Sequence, residues 1–241
     1  RNGDVVLLGL NRPDKRNAMS DALLEALAAA VEAASAEARA AVIFGHGKHF
    51  CAGLDLAEHA ERTQFEAIGN SRRWHAVFDR IQRGTIPFFA ALHGAVVGGG
   101  FELAAATHVR VAADDAVFAL PEGQRGIFVG GSGSVRIARL IGLANMTDLM
   151  LTGRVLDAED GFRVGAFQYR ATPGAARALA LELARKAAAN APLSNYAVLN
   201  ALPRIQDMAQ DDGLFVESLI SSITSAGEEA QERLRAFLEG R

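Results

Sequence analysis

Two glutamates lie where they could do acid–base chemistry. Residues 93–106 read HGAVVGGGFELAAA, so three consecutive glycines precede Phe101 and Glu102. Glu122 lies in the segment ALPEG, at the end of a short apolar run. Two carboxylates near one polarised carbonyl group would suit proton transfer at adjacent carbon atoms. The spacing alone leaves other roles open, because Glu102 could stabilise the start of a helix and Glu122 could be a charge on a surface loop.

Two loops share the pattern of a strand, a glycine-containing turn and a helix. They are FCAGLDL, residues 50–56, and GGGFEL, residues 98–103. Backbone N–H groups at the start of a helix have no acceptor within it, and glycine allows another group to approach the backbone closely. One such loop is weak evidence. Two in one domain could supply a pair of N–H donors for one developing oxyanion.

The glycines do not match the common nucleotide-binding or hydrolase patterns. A P-loop requires a lysine after its last glycine, whereas Gly99 is followed by Gly100 and Phe101. The dinucleotide pattern GxGxxG is absent from both glycine clusters. The segment GGSGS misses the serine-hydrolase pattern GxSxG because it ends in Ser134, which disfavours Ser132 as a nucleophile.

The single cysteine and the neighbouring histidines give weaker signals. Cys51 could be a nucleophile, but no base lies near it in the sequence, so we expect a small buried side chain. One cysteine also excludes an internal disulfide and a cysteine-based zinc site. His46 and His49 lack a carboxylate at ligand spacing, so we expect no metal site, and we expect a structural role for His93.

The composition is that of an ordinary globular protein. The 241 residues are 50% hydrophobic and 22% charged, which allows one large domain with a substantial core. A net charge of −3 argues against a general nucleic-acid surface. No apolar run reaches the roughly 18 residues of a membrane span, and no signal peptide is apparent. We expect a cytoplasmic protein, or a mitochondrial-matrix protein in a eukaryote. Because the first predicted strand begins at residue 5, we also expect a few residues to precede this sequence in the native protein.

Alternating strands and helices must position these groups. Apolar runs at residues 5–10 and 41–44 predict strands on either side of a helix that begins after Ser20. A polar, mobile segment is expected up to Asn70. A helix over residues 72–82, a strand after Pro87 and a helix over 101–107 then repeat the cycle. Strands VRVAA and AVFAL and a helix over 134–141 follow, so the pattern predicts an α/β layered core.

The last quarter of the chain has only helical patterns. From about Thr172 the strand signals cease, and each of the remaining segments has Leu, Ile or Phe on one face. Such faces must be buried, and a partner subunit is the natural place.

Together these motifs resemble the enoyl-CoA hydratase/isomerase (crotonase) family along nearly the whole chain. The matching segments, in order, are LNRPDKRNAMS, FCAGLDL, HGAVVGGGFELA, VRVAADDAVFALPE, GGSGSVRIARLIG, LTGRVLDAEDGFRVGAF and a helical tail ending in AFLEGR. Each is loose alone, but their order is specific. The resemblance implies an α/β fold with a crotonase-like spiral of repeated ββα units over residues 1–188. It also implies a C-terminal helical trimerisation region over residues 189–241.

The resemblance further implies an acyl-CoA thioester ligand, with coenzyme A as part of the substrate and no metal or redox cofactor. The N–H groups of Leu54 and Gly99 would hold the thioester carbonyl. Glu102 would orient and deprotonate the water that adds to the β-carbon, and Glu122 would shuttle the proton to the α-carbon. Charge and family position suggest further contacts to coenzyme A from Arg12, Lys15, Arg16, Ala18, Ala52, Gly53, Asp55, Leu56 and Gly98.

The chain departs from the family pattern near the acyl group. Phe128 and Val129 precede Gly130 where a proline is common, and Phe101 is bulky beside the glutamate. We expect these four residues to shape the acyl pocket and to admit an unusual acyl group.

The expected function is hydration of a trans-2-enoyl-CoA by a homotrimer or a dimer of trimers, without nucleic-acid or membrane partners. An enoyl-CoA isomerase, or another lyase or hydrolase of the family, is the alternative enzyme. A catalytically silent acyl-CoA-binding or RNA-binding relative is the alternative from another class. The two acids argue against silence, and the acidic balance argues against RNA.

Overall fold

The computed structural model describes residues 2–60 and 62–239. Its strands are β1 Val5–Leu10, β2 Ala40–Gly45, β3 Phe88–Leu92, β4 Ala95–Val97, β5 Val109–Ala113, β6 Val117–Ala119, β7 Val155–Leu156 and β8 Tyr169–Ala171. Its helices are α1 Asp21–Glu37, α2 Leu56–Ala60, α3 Gln64–Gln82, α4 Gly99–Ala106, α5 Gly133–Ile141, α6 Leu143–Thr152, α7 Ala158–Arg163, α8 Ala176–Ala188, α9 Pro192–Asn200, α10 Leu202–Ile205, α11 Gln210–Ala226 and α12 Glu228–Leu238.

Two sheets organise these elements. The larger sheet is parallel, with the strand order β1-β2-β3-β5-β8, and the smaller has the order β4-β6-β7, in which only β7 runs antiparallel to its neighbour. Every residue of β2 and β3 is buried, as expected for parallel strands covered on both faces. An isolated parallel bridge between Cys51 and Val96 ties the loop before α2 to β4.

The two faces of the larger sheet pack against different helices. On one face, Ile43, Phe88 and Leu92 join the main core together with residues of α1, α3 and α4. The other face packs against α8, which presents alanines spaced by four residues: Ala176, Ala180, Ala184 and Ala188. These small side chains allow the helix to lie close to the sheet. The core therefore has an α/β layered architecture, as the sequence pattern predicts.

The start of α3 differs from the sequence-based expectation. The helix begins at Gln64, well before residue 72, so the segment up to Asn70 is mostly helical. Thr63 Oγ1 accepts a hydrogen bond from Glu66 N (3.3 Å), and Glu66 Oε2 accepts one from Thr63 N (2.8 Å). This capping box satisfies N–H groups that the helix itself cannot. The apolar pattern hid the first turns because Phe65 and Ile68 are exposed.

The C-terminal region is helical, as expected, although Gly240 and Arg241 of the predicted tail lie outside the described residues. Large apolar side chains of α11 and α12 are exposed: Leu214, Phe215, Leu219, Ile223, Leu234, Phe237 and Leu238. The boundary at residues 188 and 189, where α8 ends, stays a prediction. Within the described ranges, the helices are all too short or too polar to cross a membrane.

Candidate active site

A cavity of about 350 Å³ lies where α3, the loop of residues 52–56, the start of α4 and the loop after Glu122 meet. Leu54, Gly99, Glu102 and Glu122 all line it. The structure therefore brings together the four residues that the sequence predicts to be catalytic, from segments far apart in the chain.

Two backbone N–H groups are available to a ligand in this cavity. Gly99 is the first residue of α4, so its N–H has no acceptor within the helix. The neighbouring loop is close, because a Cβ atom built on Gly99 would lie 3.5 Å from Leu54 N, and one on Gly53 would lie 3.2 Å from Gly99 N. Neither the Leu54 nor the Gly99 amide donates a hydrogen bond to any part of the chain that the structure describes. One carbonyl oxygen could accept from both.

Close packing of two backbone segments explains the glycines. A Cβ atom on Gly99 would lie 2.6 Å from the ring of Trp74, and a Cβ atom on Gly100 would collide with the carbonyl oxygen of Cys51. Gly98 has a φ of 52°, in the region that favours glycine, and a Cβ atom there would lie 2.6 Å from Glu122 Oε1. The three glycines therefore let the loop, the ring and the carboxylate all approach the helix start.

Glu102 is buried and held by a distant loop. Its Oε1 atom accepts hydrogen bonds from Gly131 N (2.8 Å) and Gly133 N (2.6 Å). Burial, together with the charge of Glu122, raises the pKa of Glu102 to about 7, even though the two N–H donors act to lower it. A carboxyl group with a pKa near neutrality can both accept and release a proton at working pH.

Glu122 is also buried, but it is less well satisfied. Its Oε2 atom has no hydrogen-bond partner among the described residues. Desolvation raises the pKa of this carboxyl group, so the protonated form persists above its usual range. A buried polar atom without a partner is uncommon and marks a position where a ligand would complete the contacts.

The loop that holds Glu102 is itself fixed from outside the cavity. Ser132, between the two donor amides, has a φ of 92°. Its hydroxyl accepts a hydrogen bond from the buried guanidinium of Arg136, which also donates to Gln82 Oε1 (2.7 Å) and pairs with Asp79. Arg136 was not predicted from the sequence, where its only signal is a charged residue within the apolar stripe of α5.

A second support for this loop comes from α3. Ser71 Oγ donates a hydrogen bond to the carbonyl oxygen of Gly130 (2.6 Å). Trp74, one turn further along α3, packs under Gly99 and Gly131. Neither residue was predicted from the sequence, because their contacts join α3 to segments far away in the chain.

The residues expected to contact coenzyme A fall into two groups. Ala52, Gly53, Leu56 and Gly98 line the cavity. The other five do not line the cavity: Arg12, Lys15, Arg16 and Ala18 precede α1, and Asp55 is part of the loop of residues 52–56. Their contact with coenzyme A stays a prediction.

Arg12, one of the five residues outside the cavity, forms contacts within the protein. It donates to the carbonyl oxygen of Ala18 (2.7 Å) and pairs with Asp55 (3.1 Å). These contacts connect the turn after β1 to the loop that carries Leu54.

Two of the four residues expected in the acyl pocket lie elsewhere. Phe128 and Gly130 line the cavity, and the Phe128 ring is exposed. Phe101 is fully buried, with its ring edge-on to Phe118 at a centroid distance of 5.3 Å, and Val129 is buried in the main core. The expectation that Phe101 and Val129 shape the pocket is therefore corrected, because their side chains fill the core on the other side of the backbone.

The remaining candidates have structural contacts. Cys51 is buried, its Sγ donates to the carbonyl oxygen of Asn17 (3.0 Å), and burial raises the thiol pKa to about 12. His49 Nδ1 accepts from Ala95 N (3.1 Å), and His93 Nε2 lies 3.1 Å from the carbonyl oxygen of Gly47. In the described ranges, no group of three or more His, Cys, Asp or Glu side chains is arranged to hold a metal ion.

Comparison with known proteins gives one consistent result. A sequence model of the family described as enoyl-CoA hydratase/isomerase matches residues 1–241. The 2,3-dehydroadipyl-CoA hydratase of Escherichia coli (strain K12) is 34% identical over 98% of this chain and 93% of its own length. The mitochondrial methylglutaconyl-CoA hydratase of Rattus norvegicus is 32% identical over 100% of this chain and 78% of its own length.

Solved structures agree. A crystal structure of a candidate enoyl-CoA hydratase from Rhodopseudomonas palustris CGA009 superposes with a TM-score of 0.96 at 52% identity, covering 99% of this chain and 92% of that one. The enoyl-CoA hydratase of Bacillus anthracis gives a TM-score of 0.93 at 29% identity, covering 99% and 93%. The full-length match of sequence and fold shows that this chain belongs to the enoyl-CoA hydratase/isomerase (crotonase) family.

Proposed function

We propose that this protein adds water across the 2,3-double bond of a trans-2-enoyl-CoA thioester. The observation that carries the proposal is the joint position of two unpaired N–H donors, Leu54 and Gly99, and two buried carboxyl groups, Glu102 and Glu122, around one cavity. Coenzyme A is part of the substrate, and the proposed reaction involves no other cofactor.

The two amides stabilise the charge that develops in the reaction. When a hydroxyl group bonds to the β-carbon, the electron pair of the double bond moves toward the thioester and an enolate oxygen forms. N–H groups of Leu54 and Gly99 donate to that oxygen. Such preorganised donors contribute about 3 kcal/mol each to stabilisation of the transition state.

The two carboxyl groups handle the protons. Glu102, held by Gly131 and Gly133, accepts a proton from the attacking water as its oxygen bonds to the β-carbon. Glu122, whose raised pKa keeps it protonated to higher pH, gives a proton to the α-carbon of the enolate. One water is consumed, one C–O and one C–H bond form, and the proton taken by Glu102 returns to Glu122 through solvent.

The relatives support a CoA thioester as the substrate. Those compared above are hydratases whose names specify CoA derivatives, and the shared fold extends over the cavity. A homotrimer or a dimer of trimers is part of the proposal, because the exposed apolar faces of α11 and α12 need a partner.

Following water addition to crotonyl-CoA and to longer trans-2-enoyl-CoA thioesters tests the proposal. Glu102→Gln and Glu122→Gln should each lower kcat by a factor on the order of 10² to 10⁴, the usual contribution of a general acid or base. Unchanged rates in both variants would contradict the assignment of the two acids. Migration of the double bond without formation of a 3-hydroxyacyl product would favour an isomerase, and tight binding without turnover would favour a silent acyl-CoA binder.

A further inference from the structure

Two arginines that line the cavity have no partner. Arg72 lies on α3, and Arg125 lies in the short turn that follows Glu122. Neither guanidinium forms a hydrogen bond or an ion pair with any residue in the described ranges. Both side chains are exposed, so they are free to meet a ligand that enters the cavity.

Three other arginines on α3 or near the cavity have acidic partners. On α3, Arg73 pairs with Asp21 (2.9 Å) and Arg80 pairs with Glu32 (3.4 Å). Arg12, near the loop of residues 52–56, pairs with Asp55. Arg72 and Arg125 on the cavity wall are therefore without acidic partners among the described residues, whereas these three arginines each have one.

The surroundings of the two arginines favour an anionic ligand. The same cavity wall includes Ala67, Ile68, Ile127 and Phe128, which are apolar. A pocket with mostly apolar walls and a few charged groups is typical of small-molecule sites, in which the charged groups fix the orientation of the ligand. A guanidinium presents two parallel N–H donors that match a carboxylate.

Both arginines lie near the residues that are proposed to react. Arg72 follows Ser71, whose hydroxyl donates to the Gly130 carbonyl oxygen. The next residue, Gly131, donates its N–H to Glu102. Arg125 follows Glu122 by three residues, and its positive charge opposes the rise in the pKa of Glu122 that burial causes. The two cations therefore approach the cavity from α3 and from the loop after Glu122.

The phosphates of coenzyme A are too far from the thioester to be the natural partners. About thirteen covalent bonds separate the thioester sulfur from the first phosphorus, which spans roughly 15 Å when extended. The cavity of about 350 Å³ has the volume of a sphere roughly 9 Å across. A carboxylate a few carbons beyond the double bond fits within a cavity of that size, whereas an extended arm carries the first phosphate beyond it.

We infer that Arg72 and Arg125 bind a carboxylate at the far end of the acyl group, so that the substrate is the mono-CoA thioester of an unsaturated dicarboxylic acid. The inference rests on the proposed function, since it assumes that the acyl group occupies this cavity. It assigns a specificity role to two residues that the acid–base chemistry itself does not use.

The test compares two substrates of the same chain length. One is the mono-CoA thioester of trans-2-hexenedioic acid, and the other is trans-2-hexenoyl-CoA, which lacks the terminal carboxylate. The unaltered protein should have a kcat/KM at least tenfold higher for the first. Arg72→Met and Arg125→Met, which keep an unbranched, flexible side chain and remove the charge, should each lower this ratio by a factor on the order of ten. Arg80→Met, on the same helix but outside the cavity, should leave the ratio unchanged.

Two results would overturn the inference. The unaltered protein could show no preference for the carboxylate, or the two variants could lose the same factor on both thioesters, as they would if the arginines bound the phosphates. Binding of the saturated thioesters hexanedioyl-CoA and hexanoyl-CoA, measured by calorimetry, makes the test independent of turnover. If neither unsaturated thioester is hydrated, the proposed hydratase function fails, while a carboxylate preference in binding that Arg72→Met abolishes would still support the inference.

Discussion

At the residue scale, burial determines the protonation of Glu102. Its pKa rises from 4.5 to about 7 when the chain folds. Between these two values, the folded protein binds more protons than the unfolded chain, so the free energy of unfolding falls as the pH rises through this window. The total loss is about 3 kcal/mol, because one pKa unit corresponds to roughly 1.4 kcal/mol.

Glu102→Gln should remove this pH-dependent penalty. Between pH 4.5 and pH 8, the free energy of unfolding of the unaltered protein should fall by about 3 kcal/mol more than that of the variant. Denaturant unfolding at both pH values measures the difference. Glu217→Gln, at an exposed position of α11, should show no such difference. The same pH dependence for Glu102→Gln and the unaltered protein would contradict the burial argument.

Cys51 gives a second prediction at this scale. The thiolate is the reactive form of cysteine, and both burial and a pKa of about 12 suppress it here. A thiol reagent should therefore leave the native protein unlabelled at pH 8 and label one cysteine per chain after unfolding. Rapid labelling of the folded protein would show that the loop around Cys51 opens.

At the element scale, the start of α4 depends on glycine for two separate reasons. Gly98→Ala would strain a backbone with a φ of 52° and would also push against Glu122 Oε1. Gly174 has a φ of 84°, and a Cβ atom added there would meet no other atom within 4 Å. Gly174→Ala therefore introduces only backbone strain, about 1 kcal/mol. We expect kcat for crotonyl-CoA to fall at least tenfold in Gly98→Ala. Gly174→Ala should lose only stability, and equal kcat values would contradict the assigned contact.

The loop between Phe128 and α5 gives another prediction. Burial raises the pKa of Glu102, and the positive charge of Arg136 partly opposes that rise. Arg136→Met should therefore move the acidic limb of the pH profile of kcat to higher pH. Arg139→Met, at an exposed position on the same helix, is the matched control and should leave the limb in place. A limb that stays in place in both variants would mean that Arg136 does not act on Glu102.

Local patterns predicted most of the elements but few of the contacts that hold the site. Ser20 and the spacing of the following leucines predicted α1, and the structure confirms the cap, with Leu23 N donating to Ser20 Oγ (3.2 Å). The first turns of α3 were missed because their apolar residues face the cavity or solvent. The hydrogen bonds from Gly131 and Gly133 to Glu102 join positions about thirty residues apart, and no local pattern specifies such a contact.

At the scale of the whole molecule, the C-terminal helices leave apolar side chains exposed, which favours the proposed partner subunit. Phe215, Leu219 and Ile223 recur every four residues on one face of α11, and all three are exposed. The sequence predicted this apolar tail, and the order of motifs predicted the fold. How such a face would pack against a second chain depends on surfaces of both chains, so the sequence pattern predicts a partner but not the geometry of the contact, and the partner stays a prediction.

We expect the protein to sediment as three or six copies of the 25.5 kDa chain. Leu219→Asp combined with Ile223→Asp should shift the protein to a smaller species, because charges would be buried in the interface. Glu217→Lys changes the charge on the opposite face of α11 and should leave the assembly intact. A monomeric unaltered protein at micromolar concentration would contradict this prediction.

The position of a bound thioester oxygen tests the central claim most directly. A crystal structure with hexanoyl-CoA, which cannot be hydrated, should place that oxygen about 2.7–3.1 Å from both Leu54 N and Gly99 N. The second and third acyl carbons should then lie between the carboxyl groups of Glu102 and Glu122. A thioester oxygen that contacts neither amide, or an acyl chain that leaves the two glutamates on one side, would contradict the account.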